Sequence, residues 1–246
     1  MRPRRGSVPP IRVDAHVAQK SVGQNEKALQ SDRVQARRAL EAARKRDAIL
    51  AAAARAFARG GYHATTMHDI AREAGYTPPS LYAYFAGKEQ IFIELARHLS
   101  REFTGVFAAP IPKELTFSER LDLLLQRLFE KADQHRDAVR VFMAARLSGE
   151  LLIGQELASE AEDGAAFSSV RLLTEWLRAN AKPGELGERP LEELGIALAG
   201  LAHAFCVAWL TGDADTSVAS QTARVTSLFL YGATGVVRRT KPLRPR

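Results

Sequence analysis

From residue 47 onward the apolar positions recur every three or four residues. Ile49, Leu50, Ala53, Ala56 and Phe57 fall at helical spacing, and Gly60-Gly61 closes that helix. The same rhythm predicts short helices over Met67–Ala74 and Pro79–Phe85, then a long one from Lys88 to about Phe107 that stops near Pro110 and Pro112. Leu121, Leu124, Leu125 and Leu128 mark a helix over Phe117–Gln134. Further helices are predicted over Asp137–Leu147, Leu152–Glu160, Ala165–Ala181, Leu191–Thr211 and Thr216–Arg238, with Pro183-Gly184 and Gly212 as stops. No stretch sustains the period of two that a strand requires. The pattern therefore predicts an all-α protein of about nine helices without an internal repeat.

Upstream of residue 47 the pattern weakens. Residues 1–23 hold Pro, Gly, Arg and Ser without periodicity and read as a disordered arm. Asn25–Arg46 is rich in good helix formers but lacks a consistent apolar face, so a frayed helical lead-in is expected. The organisation that follows is a basic arm over 1–42, a first helical domain over 43–103, a second helical domain over 104–238, and a basic tail over 239–246.

The segment "GYTPPSLYAYF", Gly75–Phe85, interrupts the helical pattern with Pro78-Pro79. A helix leaves its first four N–H groups without intrahelical partners, so proline, which has none, is tolerated in the first turn. Thr77 supplies a capping hydroxyl just upstream. The chain then reads as helix, glycine turn, helix, with helix-turn-helix spacing. On a wheel of the second helix, Leu81 and Phe85 share the inward face, toward Ile70, Ala71 and Phe57. Pro79 and Ala83 lie opposite, with Ser80 and Tyr84 on one flank and Tyr82 on the other. That outer surface carries no carboxylate. Hydroxyls suit phosphate oxygens, Pro and Ala suit a thymine methyl, and Lys88 stands next to add a phosphate contact.

Charge sharpens this reading. The chain is +7 overall, yet residues 1–46 hold 12 Lys and Arg against four acids, +8, leaving the remaining 200 residues at −1. The basic arm is either solvated disorder or a non-specific DNA tether. Cys206 is the only cysteine, so no internal disulfide forms, which suits a reducing cytoplasm. "MRPRRGSVPP" has no apolar run behind it and does not read as an export signal. The longest apolar run, Leu194–Leu210, is shorter than a membrane span needs and contains two glycines and a histidine, so a buried or interface helix is expected and no membrane association.

The stretch from about Arg44 to Leu99 resembles the TetR family of bacterial transcriptional regulators. The resemblance rests on Phe57–Tyr62, Thr65-Thr66, Asp69-Ile70-Ala71, Ala74-Gly75, Leu81-Tyr82, Tyr84-Phe85 and Lys88-Glu89, all in order. It implies a homodimer bound to palindromic double-stranded operator DNA, with a small-molecule inducer in the C-terminal domain. Carried over by position, Thr65 and Thr66 open the helix-turn-helix, Thr66 capping its first helix near phosphate. Thr77, Pro78, Pro79, Ser80, Tyr82, Ala83 and Tyr84 contact DNA, and Lys88 binds the backbone. Tyr76 and the Pro-Pro pair depart from the residues common at those places. Beyond residue 105 the likeness is architectural.

In the C-terminal half, Gly195, Ala199 and Ala202 form a small-residue stripe, and Val225, Leu228, Phe229 and Gly232 form a comparable one. They pack either within the chain or, as the resemblance implies, in a four-helix interface between subunits. Phe129, Phe142, Met143, Trp176, Phe205 and Trp209 are large enough to line a pocket or to fill a core. Arg146 interrupts an apolar run and suits either an acidic ligand or a pair with Glu150; His203 suits a ligand or a satisfied core position. His98 and Glu102 share a helical spacing without a further metal ligand, so no metal or other cofactor is expected. No nucleophile elbow or phosphate-cradling glycine loop appears, so an enzyme is not expected. The function expected is a transcriptional repressor released by ligand; the rival is a small-molecule-binding helical protein or enzyme with a vestigial DNA-binding domain.

Overall fold

The computed structural model describes residues 15–147, 169–212 and 216–234, with side chains described for 30, 33–144, 169–212 and 216–232. The chain divides into two compact units, Met1–Ala48 and Ile49–Arg246. Nine α-helices, one 3₁₀ turn and no strand occur among the described residues.

Helix α1 runs Ala15–Gly60. Its early start corrects the irregular arm expected over 1–23, since 15–23 are helical. No proline intervenes between Pro10 and Pro78, and Ala, Gln, Glu, Lys and Arg all propagate a helix. Within the first unit the described side chains are almost all exposed, including Val34 and Leu40.

In the second unit the remainder of α1 buries Ile49, Ala53 and Phe57. Next come α2 (Met67–Ala74), α3 (Pro78–Tyr82), α4 (Lys88–Ala108), α5 (Phe117–Gln134) and α6 (Arg136–Leu147). Then follow α7 (Ser169–Asn180), α8 (Leu191–Thr211) and α9 (Thr222–Thr234). The boundary expected between residues 103 and 104 falls inside α4 and inside the second unit. The helix expected over Leu152–Glu160 and the tail over 239–246 lie outside the described residues.

The ends of α2 and α5 are set by reciprocal caps. Thr66 and Asp69, and Thr116 and Glu119, each form a capping box in which side chain and backbone exchange hydrogen bonds. Two elements differ from the sequence expectation. Helix α3 ends at Tyr82, so Tyr84 stands beyond it. The last helix starts later than expected, behind the 3₁₀ turn Val218–Gln221, because Asp133 of α5 accepts from the N–H groups of Val218 at 3.0 Å and Ala219 at 3.2 Å.

Helices α7 and α8 approach closely at Gly195, where an added Cβ would stand 1.9 Å from Thr174 Oγ1. This corrects the intersubunit reading of the first stripe. Gly195 and Ala199 are buried within the chain, as are Val225 and Phe229. The apolar residues left outward on α8 and α9 are Ile196, Leu228 and Tyr231. The 21 residues of α8, the span expected, are long and apolar enough to cross a bilayer by length and composition alone. One side of α8 is nevertheless buried in this unit through Leu194, Leu198, Cys206 and Trp209.

Candidate nucleic-acid interface and ligand cavity

Helices α2 and α3 are joined by Gly75, whose left-handed φ of 72° lets the chain reverse while its N–H satisfies the last carbonyls of α2. Tyr76 N–H then donates to Ala71 O at 2.8 Å. Thr77 caps α3, its Oγ1 accepting from Ser80 N–H at 3.4 Å and lying 2.8 Å from Ser80 Oγ. Pro78 and Pro79 occupy the first two helical positions, where a missing N–H costs nothing.

Leu81 and Phe85 are fully buried, as the wheel requires. Pro79, Ser80, Tyr82 and Ala83 are exposed, with Tyr82 at 54%. Tyr84 is half-buried, its ring 6.4 Å from that of Tyr76. Five turn and helix residues, Thr77, Pro79, Ser80, Tyr82 and Ala83, thus share one accessible surface. Acids near it are engaged. Asp69 is held below its ordinary value by the hydroxyl and N–H of Thr66. Glu73 is held at about 2 by hydrogen bonds from Arg59 and Arg55, which tie α2 to α1.

Two expected DNA contacts are structural instead. Thr65 is buried, and its hydroxyl donates to Gly61 O at 2.7 Å, bracing the turn after α1. Lys88 Nζ lies 3.0–3.1 Å from the carbonyls of Tyr62, His63 and Thr65 and 4.8 Å from the Tyr62 ring centre. An ammonium has three N–H donors, and three carbonyls meet them, so no donor is left for phosphate. Sequence gives no hint of this, because the carbonyls belong to backbone that is distant along the chain.

A concavity of about 140 Å³, open to solvent on one side, lies among α4 to α8. Leu99, Phe103 and Phe107 line it from α4, Leu128 and Phe129 from α5, Phe142 and Met143 from α6, and Leu172 and Leu173 from α7. His203 and Cys206 face it from α8, and Thr104 and Ser169 add hydroxyls. Burial pushes the Cys206 thiol up to about 12, so it stays protonated and apolar in character. Of the expected pocket residues, Phe129, Phe142, Met143 and His203 stand on this wall. Trp176 packs on Phe117, Phe205 stacks under the Arg224 guanidinium, and Trp209 donates from Nε1 to Thr216 O at 2.7 Å. These three point away because their phase relative to neighbouring helices is not written in their own helix. The side chain of Arg146 lies outside the described residues. The α4 stripe of Leu99, Phe103 and Phe107 was missed, although its spacing of four residues is a legible signal.

Glu102, considered with His98 as a metal pair, instead meets Lys131 Nζ at 2.6 Å, which holds its carboxyl below the ordinary range. Among the described residues no group of three or more His, Cys, Asp or Glu could hold a metal ion.

Comparison with known proteins identifies the family. The model of bacterial regulatory proteins, tetR family, matches residues 49–95, which run from the end of α1 into α4. The HTH-type transcriptional regulator BetI of Rhizobium meliloti (strain 1021) is 31% identical over 48% of this chain and 68% of its own length. An uncharacterized HTH-type transcriptional regulator, YdgC of Bacillus subtilis (strain 168), is 28% identical over 76% of this chain and 91% of its own. Among solved structures, the fatty acid degradation regulator FadR from Bacillus halodurans shares the fold, with a TM-score of 0.62 at 22% identity, covering 79% of this chain and 96% of that one. With a capped, acid-free surface on α3, the molecule is a DNA-binding transcriptional regulator. The chain belongs to the TetR family.

Proposed function

We propose that this regulator is a dimeric repressor that leaves a palindromic operator when an apolar small molecule enters the cavity among α4 to α8. The observation that carries the reading is a run of ring contacts. Phe142 lines the cavity and stands 5.1 Å from Phe92 of α4. Phe92 in turn lies 6.1 Å from Phe57 of α1 and 4.9 Å from Tyr62. Ligand that shifts α6 against α4 thereby presses on the helices that carry α3. In a dimer the two copies of α3 enter successive major grooves roughly 34–36 Å apart, and a small tilt of α4 spoils that spacing. Moving the operator from nearly full to nearly empty needs a ligand preference of about 5.5 kcal/mol between the two conformers.

Dimerisation through α8 and α9 is supported by the outward Ile196, Leu228 and Tyr231, and by open space over Gly200 and Gly232. The surface proposed for DNA comprises Thr77, Pro78, Pro79, Ser80, Tyr82, Ala83 and Tyr84, with Thr66 near phosphate. The wall of the cavity favours a ligand with a large apolar body and one polar group near His203. Such a regulator works in the cytoplasm, where its DNA lies.

Decanoate and palmitate serve as probes. A probe that fits should raise the melting temperature, because it binds the folded state alone, and should release the protein from its own promoter DNA in a gel shift. Failure to retard that promoter above competitor background would overturn the reading of α3. Retardation that no apolar probe relieves would overturn the apolar inducer.

A further inference from the structure

We propose that the part of α1 preceding residue 49 is a second DNA-binding element, which grips phosphates without reading bases. The inference rests on the chain being a DNA-binding regulator, and it concerns residues outside the stretch that the family model matches.

The first observation is charge placed on a helix. As helix, residues 15–48 are about 50 Å long. At 100° per residue, Arg33, Arg37, Arg38, Arg44 and Lys45 fall within an arc of roughly 140°. Gln30 and Val34 lie in the same arc, and Glu41 is the one acid in it among the described side chains. The second observation is exposure. Arg33, Arg37, Arg38, Arg44 and Lys45 are all exposed, and so is Gln30 among them. Arg37 pairs with Glu41 at 2.9 Å, but both side chains face water, so a phosphate can compete for it at little cost.

The third observation is what the opposite arc lacks. Among the described side chains it carries Ala36, Ala39, Leu40, Ala42, Ala43, Arg46 and Asp47, with Leu40 the one large apolar residue and no aromatic. A helix that lies in a lipid interface needs more apolar anchors than one leucine among alanines. A helix that zips onto a second copy needs bulkier residues at its seam. A helix that is polar nearly all round gains little from burying either side. What it offers is a row of cations at a spacing that a phosphate backbone can meet. Duplex DNA carries one negative charge per roughly 1.7 Å of axis, so its charge density exceeds that of any neutral partner.

The test uses the full chain. In one variant Arg33, Arg37, Arg38, Arg44 and Lys45 become Gln, which keeps helix propensity while removing charge. In a second they become Lys, with Lys45 unchanged, so charge is kept. In a control, Lys113, Lys182 and Arg189 on the second unit become Gln. Binding to a random-sequence duplex and to promoter DNA is followed by anisotropy over a range of KCl concentrations. Each phosphate contact contributes about 0.9 to the slope of log K against log salt. The Gln variant should therefore lose about 2–4.5 from that slope on both duplexes, while the Lys variant and the control stay near wild type. Preference for promoter over random DNA should survive, because α3 still reads it. A Gln30→Cys, Cys206→Ala protein carrying a photo-crosslinker should attach to the duplex through its one remaining thiol.

An unchanged slope in the Gln variant, or an equal loss in the control, overturns the proposal while leaving α3 as the reader. Loss of promoter preference with unchanged random-DNA binding overturns it too. A wild-type protein that binds neither duplex removes both readings. A changed dimer dissociation constant with an unchanged slope assigns the helix to a second copy instead.

Discussion

Lys88 illustrates how a residue's role depends on what its neighbours leave unsatisfied. On sequence it is a cation beside a recognition helix. In the fold it gathers the carbonyls of Tyr62, His63 and Thr65 and covers the Tyr62 ring. Lys88→Ala removes three charge-assisted donors from partly buried backbone, and water can replace only some of them. Unfolding free energy measured by urea titration is expected to fall by about 1–3 kcal/mol. A phosphate ligand would behave otherwise, changing the salt slope of DNA binding and leaving stability within about 0.5 kcal/mol. Thr65 follows the same logic, with its hydroxyl turned inward to Gly61. The outward residues of α3 were legible because a wheel needs only the helix itself. The inward roles of Thr65 and Lys88 were not, because their partners are carbonyls in a loop whose course only the tertiary structure defines.

At the scale of elements, α8 carries two glycines of opposite meaning. Gly195 faces Thr174, whose Oγ1 donates to Val170 O at 2.8 Å. Gly195→Ala forces that side chain off its bond or parts the helices, and is expected to cost about 1–3 kcal/mol. Gly200 faces open space. Gly200→Ala is expected to stabilise an isolated chain by about 0.5–1 kcal/mol through helix propensity, yet to weaken a dimer that packs there. Denaturant titration at two protein concentrations, with sedimentation to read the subunit equilibrium, separates these effects. The stripe of small residues was visible beforehand; which side met the same chain was not, since helical period is blind to partner.

The contact between α1 and α2 makes a separate statement about pH. Glu73 is held at about 2 against an ordinary 4.5 by Arg59 and Arg55. Its folded-state value is depressed, so the stability it contributes is present above about 4.5 and is lost as pH falls toward 2. Glu73→Gln should flatten that part of the acid limb, and should do little above it beyond removing the ion pairs. Titrating wild type and variant side by side isolates Glu73 from Asp69, Glu102 and Glu119, whose carboxyls are also held low.

For the molecule as a whole, the question is how a cavity among α4 to α8 can speak to α3. The proposed release needs a contiguous route from the cavity to α3, and the rings between them are the route it would take. Phe92 is its narrowest point, touching Phe142 on one side and Phe57 and Tyr62 on the other. Phe92→Leu keeps the site apolar but withdraws the ring from both. Stability should drop by about 1–3 kcal/mol, leaving a folded protein. An apolar probe that raises the melting temperature of wild type should still raise that of the variant, since Phe92 is not on the cavity wall. Its power to release DNA should fall, with coupling lowered by about 0.5–2 kcal/mol. The measurement is operator affinity with and without saturating palmitate, in both proteins. Equal release by both would show that the signal bypasses Phe92 and travels through the body of α4. Loss of the thermal shift would mean instead that the substitution reaches the cavity. Only retained binding with weakened release fits a route that runs through the rings.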